Sequence, residues 1–237
     1  MKFYDVNVSL GGLPFRHIPR HTAAELREDL EALGCIGALA ANNGSILYAD
    51  TREANRELAE MIAPHRDFFC GCATVDPTWP RPEEELDECV DKFGFKAVRL
   101  LPMFHQYEPV AAADFVRYAA KRGIPVMIPQ EIVDFRQQTR WEPKEQLKYE
   151  AMLELARAVP EATFVWLFGG FDDQAPANVY AEYDRFDPRH HARMLYGSNM
   201  PLRLPAGLTK LATDPAPEAD RELVATGNFR KLILREN

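Results

Sequence analysis

Eight short runs of apolar residues, most of them alternating with helical periodicities, constrain this chain more than any other feature. The runs are Lys2–Leu10, Cys35–Ala41, Phe68–Val75, Phe95–Leu101, Ile124–Ile128, Thr163–Phe168, Val179–Tyr183 and Met194–Gly197. Most are near-continuous rather than alternating, as strands read when both faces are buried, which points to a parallel sheet covered by helices. Between them lie amphipathic segments. Thr22-Ala-Ala-Glu25 has the capping-box pattern, followed by Leu26, Leu30 and Leu33. Asp50 is placed to cap a second helix carrying Leu58 and Ile62. Pro82 suits the first turn of a third, with Leu86, Val90 and Phe93 as its stripe. Phe115 and Ala119 mark a fourth that ends at Gly123, Lys144–Val159 reads as a fifth, and Pro217–Leu234 as the last, interrupted near Gly227. Strand–helix alternation fits a barrel or an open doubly wound sheet. The count of eight favours an α/β fold of the (β/α)8 TIM-barrel kind, expected as one domain over residues 1–237. No G-x-G-x-x-G or P-loop pattern follows any strand, which argues against a nucleotide-binding open sheet.

Charge narrows the partners. Asp+Glu number 36 against 28 Lys+Arg, a net charge of −8, with no basic run. Nucleic acid and anionic membrane surfaces are therefore not expected as partners. A small-molecule ligand that is itself anionic stays open, because a local patch can oppose the global sign. The four cysteines, Cys35, Cys70, Cys72 and Cys89, form no CxxC pair and are expected as reduced packing residues. With no signal-peptide core in Met1–Leu10 and no membrane-length apolar stretch, a cytoplasmic location is expected.

The segments also resemble, in order and across nearly the whole chain, the amidohydrolase-2 branch of the amidohydrolase superfamily. The residues that carry the resemblance are Tyr4-Asp5-Val6-Asn7-Val8-Ser9-Leu10-Gly11, Gly94-Phe95-Lys96-Ala97-Val98-Arg99-Leu100 and Ile124-Pro125-Val126-Met127-Ile128. Phe164-Val165-Trp166-Leu167-Phe168-Gly169-Gly170, Tyr196-Gly197-Ser198-Asn199-Met200-Pro201 and Gly227-Asn228-Phe229-Arg230-Lys231-Leu232 continue it. The resemblance implies metal-dependent, hydrolase-like chemistry on a barrel. In the family the first strand ends in His-x-His, strands five and six each end in a His, and strand eight carries an Asp. Here those positions read Asn7-x-Ser9, Pro129 or Gln130, Leu167 and Asn199. Leucine and proline cannot coordinate, and neutral amide or hydroxyl oxygens suit zinc poorly. The expectation is therefore a barrel without the family metal and without a cofactor.

None of the six histidines ends a predicted strand. His105 differs from the rest in following strand four, in a loop placed to overhang the barrel mouth. The mouth stays polar without a metal, since the strand ends offer Asn7, Ser9, Asn42, Asn43, Asp76, Arg99, Gln130, Glu131, Glu182 and Asn199. A buried Arg99 needs an anionic partner, either an internal carboxylate such as Glu131 or Asp76 or a substrate carboxylate or phosphate. Glu131 and Glu182 are candidates for a paired acid–base site. The loop Asp134–Lys144, with Arg136, Arg140 and Trp141, is placed to act as a lid or as a solvated charged loop.

Two readings follow. In one the chain is a pseudoenzyme that binds an anionic or carboxylated small molecule through Asn7, Ser9, Arg99, His105, Gln130, Glu131, Glu182 and Asn199. In the other it is a metal-independent hydrolase, decarboxylase or lyase acting on a small cyclic or carboxylated substrate. Whether it turns over any substrate is left open, as is assembly as a homo-oligomer or with a partner subunit.

Overall fold

The computed structural model describes residues 1–236 except 144, 169, 170, 184–188 and 204. The Gly169-Gly170 motif and Lys144, at the end of the expected lid and the start of the expected fifth helix, lie outside the described residues. Each of the eight apolar runs coincides with a strand, within two residues at either end: β1 Phe3–Leu10, β2 Cys35–Asn42, β3 Phe69–Thr74, β4 Ala97–Arg99, β5 Val126–Pro129, β6 Phe164–Leu167, β7 Val179–Glu182 and β8 Met194–Leu195. They form one parallel sheet in the order β1 to β8. The ends of the sheet meet, with Val6 N donating to Tyr196 O and Ser9 N to Met200 O, both at 2.9 Å. The fold is a (β/α)8 TIM barrel.

Helices α1 Ala23–Ala32, α2 Arg52–Ile62, α3 Pro82–Asp87, α4 Pro102–His105, α5 Ala113–Lys121, α6 Tyr149–Ala158, α7 Ala206–Thr213 and α8 Glu218–Glu222 follow the strands. The Thr22 capping box forms as expected, and Leu26 and Leu30 are buried. Leu33 instead falls at the C-cap and stays 38% exposed. Thr51, not Asp50, takes the N-cap position of α2, while Asp50 Oδ1 accepts the Arg52 N–H. The expected fifth helix begins only at Tyr149. The last helix is not broken at Gly227: it continues from α8 through π-helical segments Leu223–Gly227 and Arg230–Leu234. The side-chain amide of Asn228 ties the helix to the Met194 and His191 carbonyls. That path carries Phe229 and Ile233 into the barrel's own core. A π turn redirects a helix face without a proline.

Two apolar layers hold the barrel. An outer cluster packs strand side chains such as Val8, Val98 and Ile128 against helix residues such as Leu58, Phe115 and Leu153. An inner cluster fills the barrel with Val6, Leu39, Cys72, Met127, Val165, Leu167 and Leu195 among others. A third cluster, including Leu13, Ile46, Leu101, Ile132 and Leu202, joins loops over the C-terminal end. The barrel interior is thus packed rather than hollow, as expected of this fold, whose sites sit at the C-terminal rim.

Candidate functional site

One group of rim residues is built on β1, β7 and β8. Asp5 pairs with Ala38 of β2, but Val8 already pairs with Ala40, so β1 carries one extra residue between them. Such a bulge re-aims side chains beside a site. Asp5 Oδ1 accepts from Asn7 N and from Ser198 N, each at 3.0 Å. Asn7 Nδ2 donates to Glu182 Oε2 at 2.9 Å, and the Phe168 N–H reaches the same oxygen at 3.3 Å. Gly197 makes room for this carboxyl, since a Cβ there would lie 2.8 Å from Glu182 Cδ. Burial pushes the Glu182 carboxyl up to about 8, and the nearby Asp5 charge adds to the rise. Burial likewise raises Asp5 to about 6. At neutral pH the group therefore holds a proton on Glu182 beside a charged Asp5.

The second group sits on β2, β3 and β4. Arg99 is 4% exposed. Its Nη2 donates to Asn42 O at 2.8 Å, Ser45 Oγ at 2.9 Å and Thr74 Oγ1 at 3.2 Å, and its Nε to Thr74 Oγ1 at 3.3 Å. Neither carboxylate expected as its partner is engaged with it. Glu131 accepts from Arg203 and from Gln146 Nε2, and Asp76 Oδ1 accepts from Thr78 N and Oγ1. The guanidinium is surrounded by neutral oxygens, and burial pulls it down to about 10. His105 joins this group, its Nε2 3.3 Å from Ser45 O, with burial holding its ring below the usual histidine value. Its Nδ1, the Tyr107 hydroxyl and Asn43 Oδ1 are buried with no hydrogen-bond partner among the described residues.

A third group lies where β5 and β8 end. Asn199, at φ 56°, donates through Nδ2 to Ile132 O at 3.1 Å. Gln130 and Glu131 line a cleft of about 380 Å³, measured out to open solvent, with Pro102, Met103, Phe104 and Gln138. Ser9 is 2% exposed on β1 beside Ala41 of β2. In the Asp134–Lys144 loop, Gln137 accepts from Arg16 while Trp141 stays 71% exposed.

The two carboxyls expected as an acid–base pair, Glu131 and Glu182, have different nearest partners. Glu131 is bound to Arg203, and the carboxyl whose charge raises Glu182 is Asp5. Sequence reading missed both Asp5 and Arg203. The Arg203 guanidinium lies 4.1 Å from the Phe168 ring centroid, and its charge favours the ionised form of Glu182. Asp5 was legible as part of the β1 motif. Arg203 was not, because it follows β8 in a loop that carries no periodicity.

The metal implied by the resemblance does not fit these side chains. Asn7 presents its N–H, not its oxygen, to Glu182. Leu167 belongs to the barrel core, and Asn199 presents its N–H to a backbone carbonyl. Among the described residues no three His, Cys, Asp or Glu side chains converge on a point that would hold an ion.

The family model described as amidohydrolase matches residues 13–138, just over half of the chain. No curated protein sequence matches. Solved structures similar over the whole chain include 2,6-dihydroxybenzoate decarboxylase from Rhizobium, 16% identical with a TM-score of 0.70 and 100% of both chains covered. An uncharacterised TIM-barrel protein from Bordetella bronchiseptica is 15% identical, with a TM-score of 0.75 and 99% of both chains covered. 5-Carboxyvanillate decarboxylase from Sphingomonas paucimobilis is 13% identical, with a TM-score of 0.72 over 98% of this chain and 99% of that one.

Proposed function

The chain belongs to the amidohydrolase family, and from that premise we propose that its barrel mouth binds a small carboxylated molecule without the family's metal. The observation that carries this reading is Arg99. A buried guanidinium whose bonds all go to neutral oxygens is a cation lacking a counter-charge. Its Nη1 makes no hydrogen bond among the described residues, and a ligand carboxylate would supply both the charge and the acceptor. The unpartnered His105 Nδ1, on a ring that feels the Arg99 charge, asks for the same kind of polar occupant. Two of the similar structures are decarboxylases of carboxylated aromatics, which supports this ligand class.

The test is calorimetry with 2,6-dihydroxybenzoate on chelator-treated protein, beside elemental analysis of untreated protein. Binding without metal is expected, and Arg99→Met should weaken it by roughly tenfold or more. Binding that appears only after a divalent metal is restored would overturn the metal-free reading. Affinity unchanged in Arg99→Met, with a large loss of melting temperature, would overturn the anion site.

The Asp5–Asn7–Glu182 group favours a second reading, in which the bound carboxylate is also turned over. Glu182 holds a proton and its Oε1 makes no hydrogen bond among the described residues. In a decarboxylation the bond to the carboxylate carbon breaks, carbon dioxide leaves, and the electron pair stays on the substrate carbon. In this reading the Glu182 proton is delivered there, leaving a carboxylate held by Asn7 and the Phe168 N–H. Release of resorcinol from 2,6-dihydroxybenzoate by metal-free protein is the measurement. Binding without any product marks the chain as a binding protein.

A further inference from the structure

The polar network around Arg99 does not stop at the barrel wall. Thr74, which accepts two bonds from the guanidinium, is held from outside by Asn55 of α2. Thr74 N donates to Asn55 Oδ1 at 2.9 Å, and Asn55 Nδ2 donates to Thr74 O at 2.8 Å. The second hydrogen of that amide goes to Glu85 Oε1 on α3, at 2.7 Å. The Thr51 hydroxyl donates to the same oxygen at 2.8 Å. Thr51, Asn55, Thr74 and Glu85 are each at most 2% exposed. A continuous line of hydrogen bonds therefore runs from a carboxyl in the helix layer to the guanidinium at the mouth.

A carboxyl in this place is costly by itself. It lies between helices where leucine would pack, and among the described residues no Arg or Lys is hydrogen-bonded to it. Its geometry indicates what it does. An amide has two hydrogens and one oxygen acceptor, and Asn55 uses all three. Without an acceptor at Glu85 one hydrogen is orphaned, and nothing fixes the amide's rotation. The clamp on both backbone groups of Thr74 then loosens, and with it the oxygen that orients Arg99.

We propose that Glu85 is a positioning residue for the mouth, fixing through Asn55 and Thr74 the direction in which Arg99 presents its guanidinium. The functional meaning rests on Arg99 being a ligand contact, whereas the structural link is read on Arg99 itself. Burial raises Glu85 to about 7, so its charge changes near neutrality. The groups facing it are Thr51 and Asn55, with Arg52 and Asp50 at the start of α2 and Cys89 one turn along its own helix. His105 faces Arg99 and feels Asp76, and its own titration lies lower.

The experiment follows the nitrogen–proton resonance of Arg99 Nε in unliganded protein from about pH 5.5 to 8.5, assigned by its absence in Arg99→Met. In the natural protein the resonance should move with a midpoint of about 7. In Glu85→Gln that step should vanish while the position stays near the low-pH one, because glutamine still offers an oxygen to Thr51 and Asn55. Glu85→Leu should displace or broaden the resonance at every pH. It should weaken 2,6-dihydroxybenzoate binding by about fivefold, with Glu85→Gln within about twofold of the natural protein. A resonance flat through neutrality, or a step that persists in Glu85→Gln, overturns the proposal. If the step behaves as expected and no carboxylate binds, Glu85 still positions Arg99 and the reading of the mouth fails instead.

Discussion

Asp5, Asn7 and Glu182 show how a few atoms decide what a site does. The Asn7 amide can face its carboxyl neighbour with either end, and it presents N–H. This lowers the cost of charge on Glu182, but burial outweighs it and the carboxyl stays protonated up to about pH 8. If Glu182 supplies the proton in turnover, activity should fall as pH rises through 8, and Glu182→Gln should abolish it while leaving binding within about threefold. A rate that persists in Glu182→Gln, or that rises through pH 8, would remove Glu182 from that role. Asn7 and Glu182 were both legible at strand ends. The bond between them was not, because it links positions 175 residues apart.

Among the secondary elements, β3 is closely hemmed in at Gly71. A Cβ on Gly71 would lie 2.2 Å from Cδ1 of Phe95, a ring that is itself only 2% exposed. Neither the backbone nor the buried ring can move far, so Gly71→Ala should destabilise by about 1–3 kcal/mol. Chemical denaturation is the check, and an unchanged midpoint would show that Phe95 repacks freely. Helices declared themselves where local chemistry decides, as in the Thr22–Glu25 capping box. Strand ends were read one or two residues too long at several places, because apolar residues continue past the last ladder bond, while β2 and β5 each run one residue further than read. The tail helix was read as broken because glycine weakens helices in general. In the structure its π turns are supported by Val224 and Ala225, packed in the outer layer.

For the molecule as a whole, three buried carboxyls act together on stability. Asp5, Glu85 and Glu182 are raised to about 6, 7 and 8. In the unfolded chain all three ionise near pH 4. Between about pH 4 and 8 the folded state therefore binds more protons than the unfolded one, and stability falls as pH rises through that window. Acids near the surface such as the half-buried Asp134, held low by Arg136, act oppositely below this range, but ion pairs at the surface contribute little. The melting temperature should be higher at about pH 5.5 than at about 8.5, with the difference reduced in Glu182→Gln. A flat or rising profile would show that these carboxyls ionise normally in the fold.

Hydrophobic period and strand count determined the architecture from sequence, because both are repeated many times and each repeat votes for the same layers. The residue types at the strand ends likewise marked a polar rim on the barrel. Tertiary structure alone decided the partners. It brought Asp5 rather than Glu131 to bear on Glu182, gave Glu131 to Arg203, and left Arg99 among neutral oxygens tied through Asn55 to Glu85. The reason is physical: hydrogen bonds act over about 3 Å, and which groups come that close depends on barrel closure, a bulge in β1 and helix packing. None of these is written in local spacing.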